Sequence, residues 1–205
     1  MINLATPFSY FRLMNENHNP WKVIREKNIY NNPWIEVIEY DVINPGGGSG
    51  IYGKIHFKNI AIGILPLDDD LNTYLVGQYR FALGQYSWEI PEGGGLIGTD
   101  PLDSAKRELK EETGLVANDW SKLVELHNSN SVTDEYALIY LARKLEQHTA
   151  APEEAEQLVL KKIHFEEVYK MVDQGIITDA MTVVAVLKVK LMLQNQEFYK
   201  KFIFE

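Results

Sequence analysis

A mixed α/β fold, preceded by a small antiparallel sheet, is what this sequence predicts, on three observations. Strand-like apolar runs at 60–66, 73–79, 136–142 and 158–164 interleave with helical patterns at 101–113, 165–174 and 179–193, and that alternation favours layered packing with a mixed sheet. Residues 21–57 read as extended segments separated by the turn-prone Asn31-Asn32-Pro33 and the loop Asn44–Gly50. One helix is punctuated at both ends: Asp100 is an N-cap, Pro101 suits the first helical position, Asp103 is acidic in the first turn, and Gly114 closes it.

Taken in order, residues 21–42 form two strands and Ile51–Phe57 a third. The Gly46–Gly48 run between them lacks the Lys-Ser/Thr of a phosphate loop and reads as a hairpin connection. Residues 1–57 are thus expected to be an N-terminal β subdomain and 58–205 the main domain. There, Ile60–Pro66 and Thr73–Tyr79 are buried strands around the turn Asp68–Asn72, whose three aspartates read as a solvated turn. Trp88–Pro91 is a short strand feeding a glycine loop. Further strands are expected at Leu123–Leu126, Tyr136–Ala142 and Leu158–His164, with helices at Phe165–Gln174 and Asp179–Leu193.

At 205 residues with 45% hydrophobic and 24% charged content, the chain suits one soluble domain with a small appended unit. It has no cysteine, which removes disulfide and thiolate chemistry. No two of the five histidines stand at i, i+4, and there is no G-x-S-x-G, so a histidine zinc centre and a serine hydrolase are both disfavoured. A net charge of −9 argues against nucleic acid. The N-terminus lacks a signal-peptide pattern and no apolar run is long enough for a membrane span, so a cytoplasmic protein is expected.

The helix carries the chemistry. Glu108 stands at i, i+3 and i, i+4 to Glu111 and Glu112, and like charges so spaced repel unless compensated. A hard divalent cation is one economical compensator and Arg107, at i, i+4 from Glu111, is another. Such a cation, with its preference for carboxylates, waters and phosphate oxygens, points to phosphate chemistry. Because a phosphorylated substrate is itself anionic, local cations such as Arg80 and Arg107 must outweigh the global field.

Gly93, Arg107-Glu108-Leu109, Glu111-Glu112, Gly114 and Leu115 resemble the Nudix box, G-x5-E-x7-R-E-U-x-E-E-x-G-U with U aliphatic. They match in spacing at every fixed position except one, where Thr99 replaces a glutamate. Val76–Arg80 and Ser87–Pro91 before the box, and Gly175–Thr182 after it, are similar to ADP-ribose pyrophosphatase-like members. The likeness covers roughly residues 58–195. It implies a Nudix-type α/β/α sandwich and Mg2+-dependent hydrolysis of a nucleoside diphosphate linked to another moiety, with Mn2+ as an alternative metal. ADP-ribose or an ADP-sugar leads, giving AMP and a sugar phosphate. GDP-mannose or another nucleotide sugar is an alternative substrate, and a non-catalytic sensor, favoured only by Thr99, is an alternative class.

The resemblance also implies roles. Glu108 and Glu112 match metal-holding positions, and Glu111, oriented by Arg107, matches a further ligand. Glu92 offers a ligand through its backbone carbonyl. The general base is expected on a later loop, among Glu153, Glu154 and Glu156, with Glu154 preferred. Arg80 is a phosphate contact or else a structural ion pair. Trp88, within an aromatic cluster, either stacks on a base or packs in the core, and Tyr30 and Trp34 would cover a base if the first sheet arches over the cleft. Glu135, in Asp134-Glu135, sits on a substrate-side loop. Relatives that pack N-terminal sheets imply a homodimer.

Overall fold

The computed structural model describes residues 19–149 and 157–195. Its first unit is a three-stranded antiparallel sheet of β1 (Lys22–Asn31), β2 (Ile35–Ile43) and β3 (Ser49–Phe57). Both turns are built by asparagine side chains. Asn32 Oδ1 accepts from the amides of Trp34 (2.8 Å) and Ile35 (2.7 Å), and Asn44 Oδ1 accepts from Gly46 (2.9 Å) and Gly48 (3.1 Å). Gly47 at φ 87° supplies the left-handed residue of the second turn.

The main unit runs β4 (Asn59–Pro66), β5 (Asn72–Arg80), β6 (Gln85–Glu89), β7 (Glu92–Leu96), α1 (Pro101–Thr113), β8 (Leu115–His127), β9 (Tyr136–Gln147), β10 (Val159–His164), α2 (Phe165–Asp173) and α3 (Ala180–Gln194). Its middle layer is two sheets rather than one. One is four-stranded, β7-β4-β9-β8, and mixed because β4 and β9 are parallel; the other, β10-β5-β6, is antiparallel. Side-chain alternation gives each face its own core. Ile62, Ile64, Leu138 and Tyr140 meet Ala105 and Leu109 of α1 on one side. Leu65, Ile139 and Leu141 meet Phe165 and Val168 of α2 and Met181, Ala185 and Val189 of α3 on the other. Strand β5 feeds both, giving Tyr74 to the first and Leu75 to the second. This is the α/β/α sandwich. No helix among the described residues is long and apolar enough to cross a membrane.

Two elements differ from expectation. The glycine segment is a strand, pairing Gly63↔Glu92 through Asn59↔Leu96, although three glycines carry little strand propensity. Here the absence of side chains is what lets α1 approach. Strand β8 begins directly after Gly114 rather than at Leu123, because pairing with β9 from Leu115↔Gln147 onward overrides the turn-like Asn118-Asp119. In the Asp68 turn the aspartate is structural. Its Oδ1 accepts from the Asn72 amide at 2.7 Å and its Oδ2 pairs with Lys162 at 2.8 Å, holding Leu71 at φ 59°.

Candidate active site

Helix α1 is capped as its sequence directs. Asp100 accepts from the Leu102 amide at 3.0 Å, and Gly114 adopts φ 71°. Its buried stripe contains Ala105 and Leu109, but also Glu108 and Glu112. A helix that buries two carboxylates one turn apart must offer them donors, and β7 provides these. Glu108 Oε1 accepts from the Gly94 amide at 3.2 Å, and Glu112 Oε2 accepts from the Glu92 amide at 3.0 Å. Glu108 occupies the very space a side chain at residue 93 would need: a Cβ there would lie 2.0–2.5 Å from its carboxyl atoms. The glycine at the start of the motif is thus a seat for the first glutamate.

Arg107 ties the group together. Its guanidinium donates to Glu108 Oε1 (2.6 Å), Glu111 Oε2 (2.6 Å) and the Gly94 carbonyl (3.1 Å). Burial pushes the Glu108 carboxyl upward, against the lowering pull of Arg107. Among the described residues, no three Asp, Glu, His or Cys side chains converge as they stand into a cage for an ion. The donor set is nevertheless all oxygen, and one guanidinium is shared between two glutamates. Those residues fit a hard divalent cation accompanied by waters.

Beside β7 lies a cleft of about 470 Å3, lined by Arg80, Glu89, Glu92, Gly93, Asn128 and Glu135 together with the N-terminus of α3. Glu92 and Gly93 join the two halves. Their backbone neighbourhood receives the helix carboxylates, while the Glu92 side chain turns to the opposite face of the strand. There it lies 3.8 Å from the Arg80 guanidinium and 3.5 Å from the Thr182 hydroxyl. Burial, and then the neighbouring Asp179 that hydrogen-bonds to it, push the Glu92 carboxyl well above the usual range. The side chain of Glu92 is therefore not directed at the helix glutamates; only its backbone is.

Arg80 reaches the cleft but is committed to Glu89. Its Nε donates to both carboxylate oxygens (3.0 and 2.9 Å) and its Nη2 to Oε2. The Glu89 hydrogen bonds hold the guanidinium above its usual pKa, against the opposing effect of burial. It is thus at once a cleft residue and a structural ion pair. Trp88 does not line the cleft. One residue before Glu89 on β6, it faces the other way, packing over Gly77 and edge-on to Tyr86 at 5.6 Å. Half-buried there, it packs against the edge of the core with Lys161 Nζ 5.4 Å from its ring. Glu135 does line the cleft, accepting from Asn128 Nδ2 at 3.0 Å. Glu153, Glu154 and Glu156 lie outside the described residues.

Thr99, the departure from the box, is exposed and donates to the Leu96 carbonyl at 2.8 Å. Its hydroxyl closes the turn before α1. Sequence reasoning missed Glu89, Asp179 and Asn128. Only the helix-capping pattern Asp179-x-x-Thr182 marked one of them, and the cleft role of the other two comes from chain segments distant in sequence.

The chain matches the NUDIX domain model over residues 58–179. It is 35% identical over 150 residues to an ADP-ribose pyrophosphatase of Mycobacterium tuberculosis, covering 71% of each chain. It is 28% identical over 180 residues to an ADP-ribose pyrophosphatase of Bacillus subtilis, covering 86% of this chain and 97% of that one. Its fold is similar to a crystal structure of an ADP compounds hydrolase, with a TM-score of 0.77, 22% identity, and coverage of 86% and 95%. With its box helix seated on β7 and these likenesses on either side of it, the chain belongs to the Nudix family, in the ADP-ribose pyrophosphatase branch, and is a Nudix pyrophosphohydrolase.

Proposed function

We propose that this chain hydrolyses the pyrophosphate bond of a nucleoside diphosphate joined to a sugar, with ADP-ribose or an ADP-sugar as substrate and AMP plus sugar phosphate as products. The observation that carries the reading is the pair Glu108 and Glu112, buried one turn apart and held by the Gly94 and Glu92 amides of β7, the strand whose Glu92 and Gly93 line a cleft of ligand size. Water adds across the P–O–P anhydride: one phosphorus gains the hydroxyl, and the other phosphate departs with the bridging oxygen.

Glu108 and Glu112 would hold Mg2+, with Mn2+ as an alternative, together with Glu111 and the backbone of Glu92. When bound, the cation polarises phosphate oxygens and acidifies a coordinated water. Arg107 holds Glu108 and Glu111 in fixed positions, which limits the reorganisation needed during reaction. Arg80, braced by Glu89, meets a phosphate with its remaining donors. Glu135 accepts hydroxyls at the cleft wall. Glu154 is our choice for the proton acceptor on the later loop.

The same reading includes a cytoplasmic homodimer formed through the N-terminal sheet. Ile24, Trp34 and Ile51 stand 65, 66 and 72% exposed there, and a three-stranded sheet with little core of its own gains by being covered. Light scattering of the native chain measures the oligomer; a monomer at micromolar concentration refutes it. AMP release from ADP-ribose, with Mg2+ and with EDTA, tests the chemistry in the native chain and in Glu112→Gln. Mg2+-dependent release that is lost in the variant supports the reading. Turnover of GDP-mannose but not ADP-ribose would overturn the substrate choice, and ligand binding without turnover would favour a sensor.

A further inference from the structure

The N-terminal sheet ends in β3, whose outer edge is filled by the loop that leads to Glu135. The Ile55 amide donates to the Val132 carbonyl at 2.8 Å, and the Asp134 amide donates to the Ile55 carbonyl at 3.2 Å. Together they make a short parallel bridge between Ile55 and Thr133. Side chains reinforce it. Tyr52 donates its hydroxyl proton to the Ser131 carbonyl. Asp134 is the centre of the junction: Oδ2 lies 2.7 Å from His56 Nδ1 and 3.3 Å from Lys54 Nζ, and Oδ1 accepts from the Phe57 amide at 3.0 Å. Lys54 and His56, two apart on a strand, present the same face to one carboxylate. Burial pushes the Asp134 carboxyl upward, but His56, the Phe57 amide and Lys54 together hold it below its usual value.

At the other end of the loop, Asn128 closes onto Glu135. Its amide donates to the Glu135 carbonyl at 3.3 Å, and its Nδ2 donates to Oε2 at 3.0 Å. Asn128 and Glu135 both line the cleft. The loop is therefore a ring, closed at the cleft and fastened at its tip to another sheet, 78 residues away in sequence at the His56–Asp134 contact.

We propose that Asp134 is a positioning residue: by latching the 128–135 loop to β3 it aims Glu135 into the cleft, which makes the N-terminal sheet part of the substrate site as well as a surface for assembly. The inference rests on Glu135 being a substrate contact. Without the latch, a loop end bearing a carboxylate would sample many orientations, and each binding event would have to order it again. The effect therefore falls on substrate binding and leaves the chemistry at the helix glutamates in place.

The test compares native chain, Asp134→Ala and Asp134→Asn, each checked for an intact fold by near-ultraviolet circular dichroism. Hydrogen exchange reads the latch directly, because local opening exposes individual amides. In Asp134→Ala the amides of Ile55 and Asp134 are expected to exchange about tenfold faster, with KM for ADP-ribose raised about tenfold and kcat within about twofold. Asp134→Asn keeps an acceptor for the Phe57 amide and is expected to recover part of both effects. Glu135→Gln should raise KM in the native background but add less than about twofold to Asp134→Ala, since residues acting as one unit are not additive. Full additivity, or unchanged exchange in Asp134→Ala, overturns the latch while leaving Glu135 as a contact. Unchanged KM in Glu135→Gln, with exchange accelerated in Asp134→Ala, instead refutes the substrate contact on which the inference rests.

Discussion

Replacing Gly93 with alanine adds one methyl group, and the structure says where it goes. The new Cβ would lie 2.0 Å from Glu108 Cδ, 2.1 Å from Oε1 and 2.5 Å from Oε2. Ordinary contact begins near 3.4 Å, so the carboxylate must withdraw by more than an ångström. That movement breaks its 3.2 Å bond from the Gly94 amide and displaces it from Arg107. A carboxylate is the end of a flexible side chain, so the fold survives: the loss of hydrogen bonds to a charged group costs about 1.5–3 kcal/mol. The catalytic loss is larger, because a displacement of about 1 Å can cost on the order of a hundredfold in rate.

Gly94→Ala is the internal control. Its Cβ would first meet Asn59 Nδ2 at 3.4 Å, an ordinary contact. The assay is kcat/KM for AMP release from ADP-ribose, alongside urea unfolding. Gly93→Ala should fall about a hundredfold or more, while Gly94→Ala stays within about threefold. Equal activities of the two variants would refute the claim that the Glu108 seat sets the site.

Other expectations follow from buried contacts. Thr182, fully buried, accepts from the Ile90 amide at 3.0 Å; Thr182→Val orphans that amide and should cost about 1–3 kcal/mol by urea denaturation. Arg80→Ala strands Glu89, whose side chain is 3% exposed. A loss of about 2 kcal/mol is expected, below the range for fully buried pairs because Arg80 is 38% exposed, and Glu89→Leu on top should restore part of the stability but no activity. Asp68 is pushed up by burial but held below the ordinary 3.8 by Lys162 and by hydrogen bonds from Asn72. A lowered carboxylate stabilises fully above its unfolded value and loses that contribution as pH falls through the folded one. Asp68→Asn should therefore cost about 1–2 kcal/mol at pH 7, with the gap closing only below pH 3.8, as read from urea midpoints against pH.

Local chemistry determined much of this protein in advance. The caps of α1, the spacing of Arg107, Glu108, Glu111 and Glu112, and the three strands of the first sheet depend on residues a few positions apart, where helix and strand periodicities are reliable. Tertiary structure decided what depends on neighbours far along the chain. Glycines 93–95 read as a loop because they carry no strand preference, yet β4 pairs with them and α1 needs their bare surface. Strand β8 starts eight residues early because β9 supplies its ladder. Trp88 and Glu89 are adjacent in sequence, and only the packing of β6 decides which meets the cleft. Asn128 carries no motif of its own, and the segments that hold Asp134 and Asp179 do not say which distant residues those carboxylates meet. Their roles arise from contacts between distant segments, β3 with the 128–135 loop and the N-terminus of α3 with β7: a hydrogen bond needs a partner in space, and a sequence lists partners only when they are close along the chain.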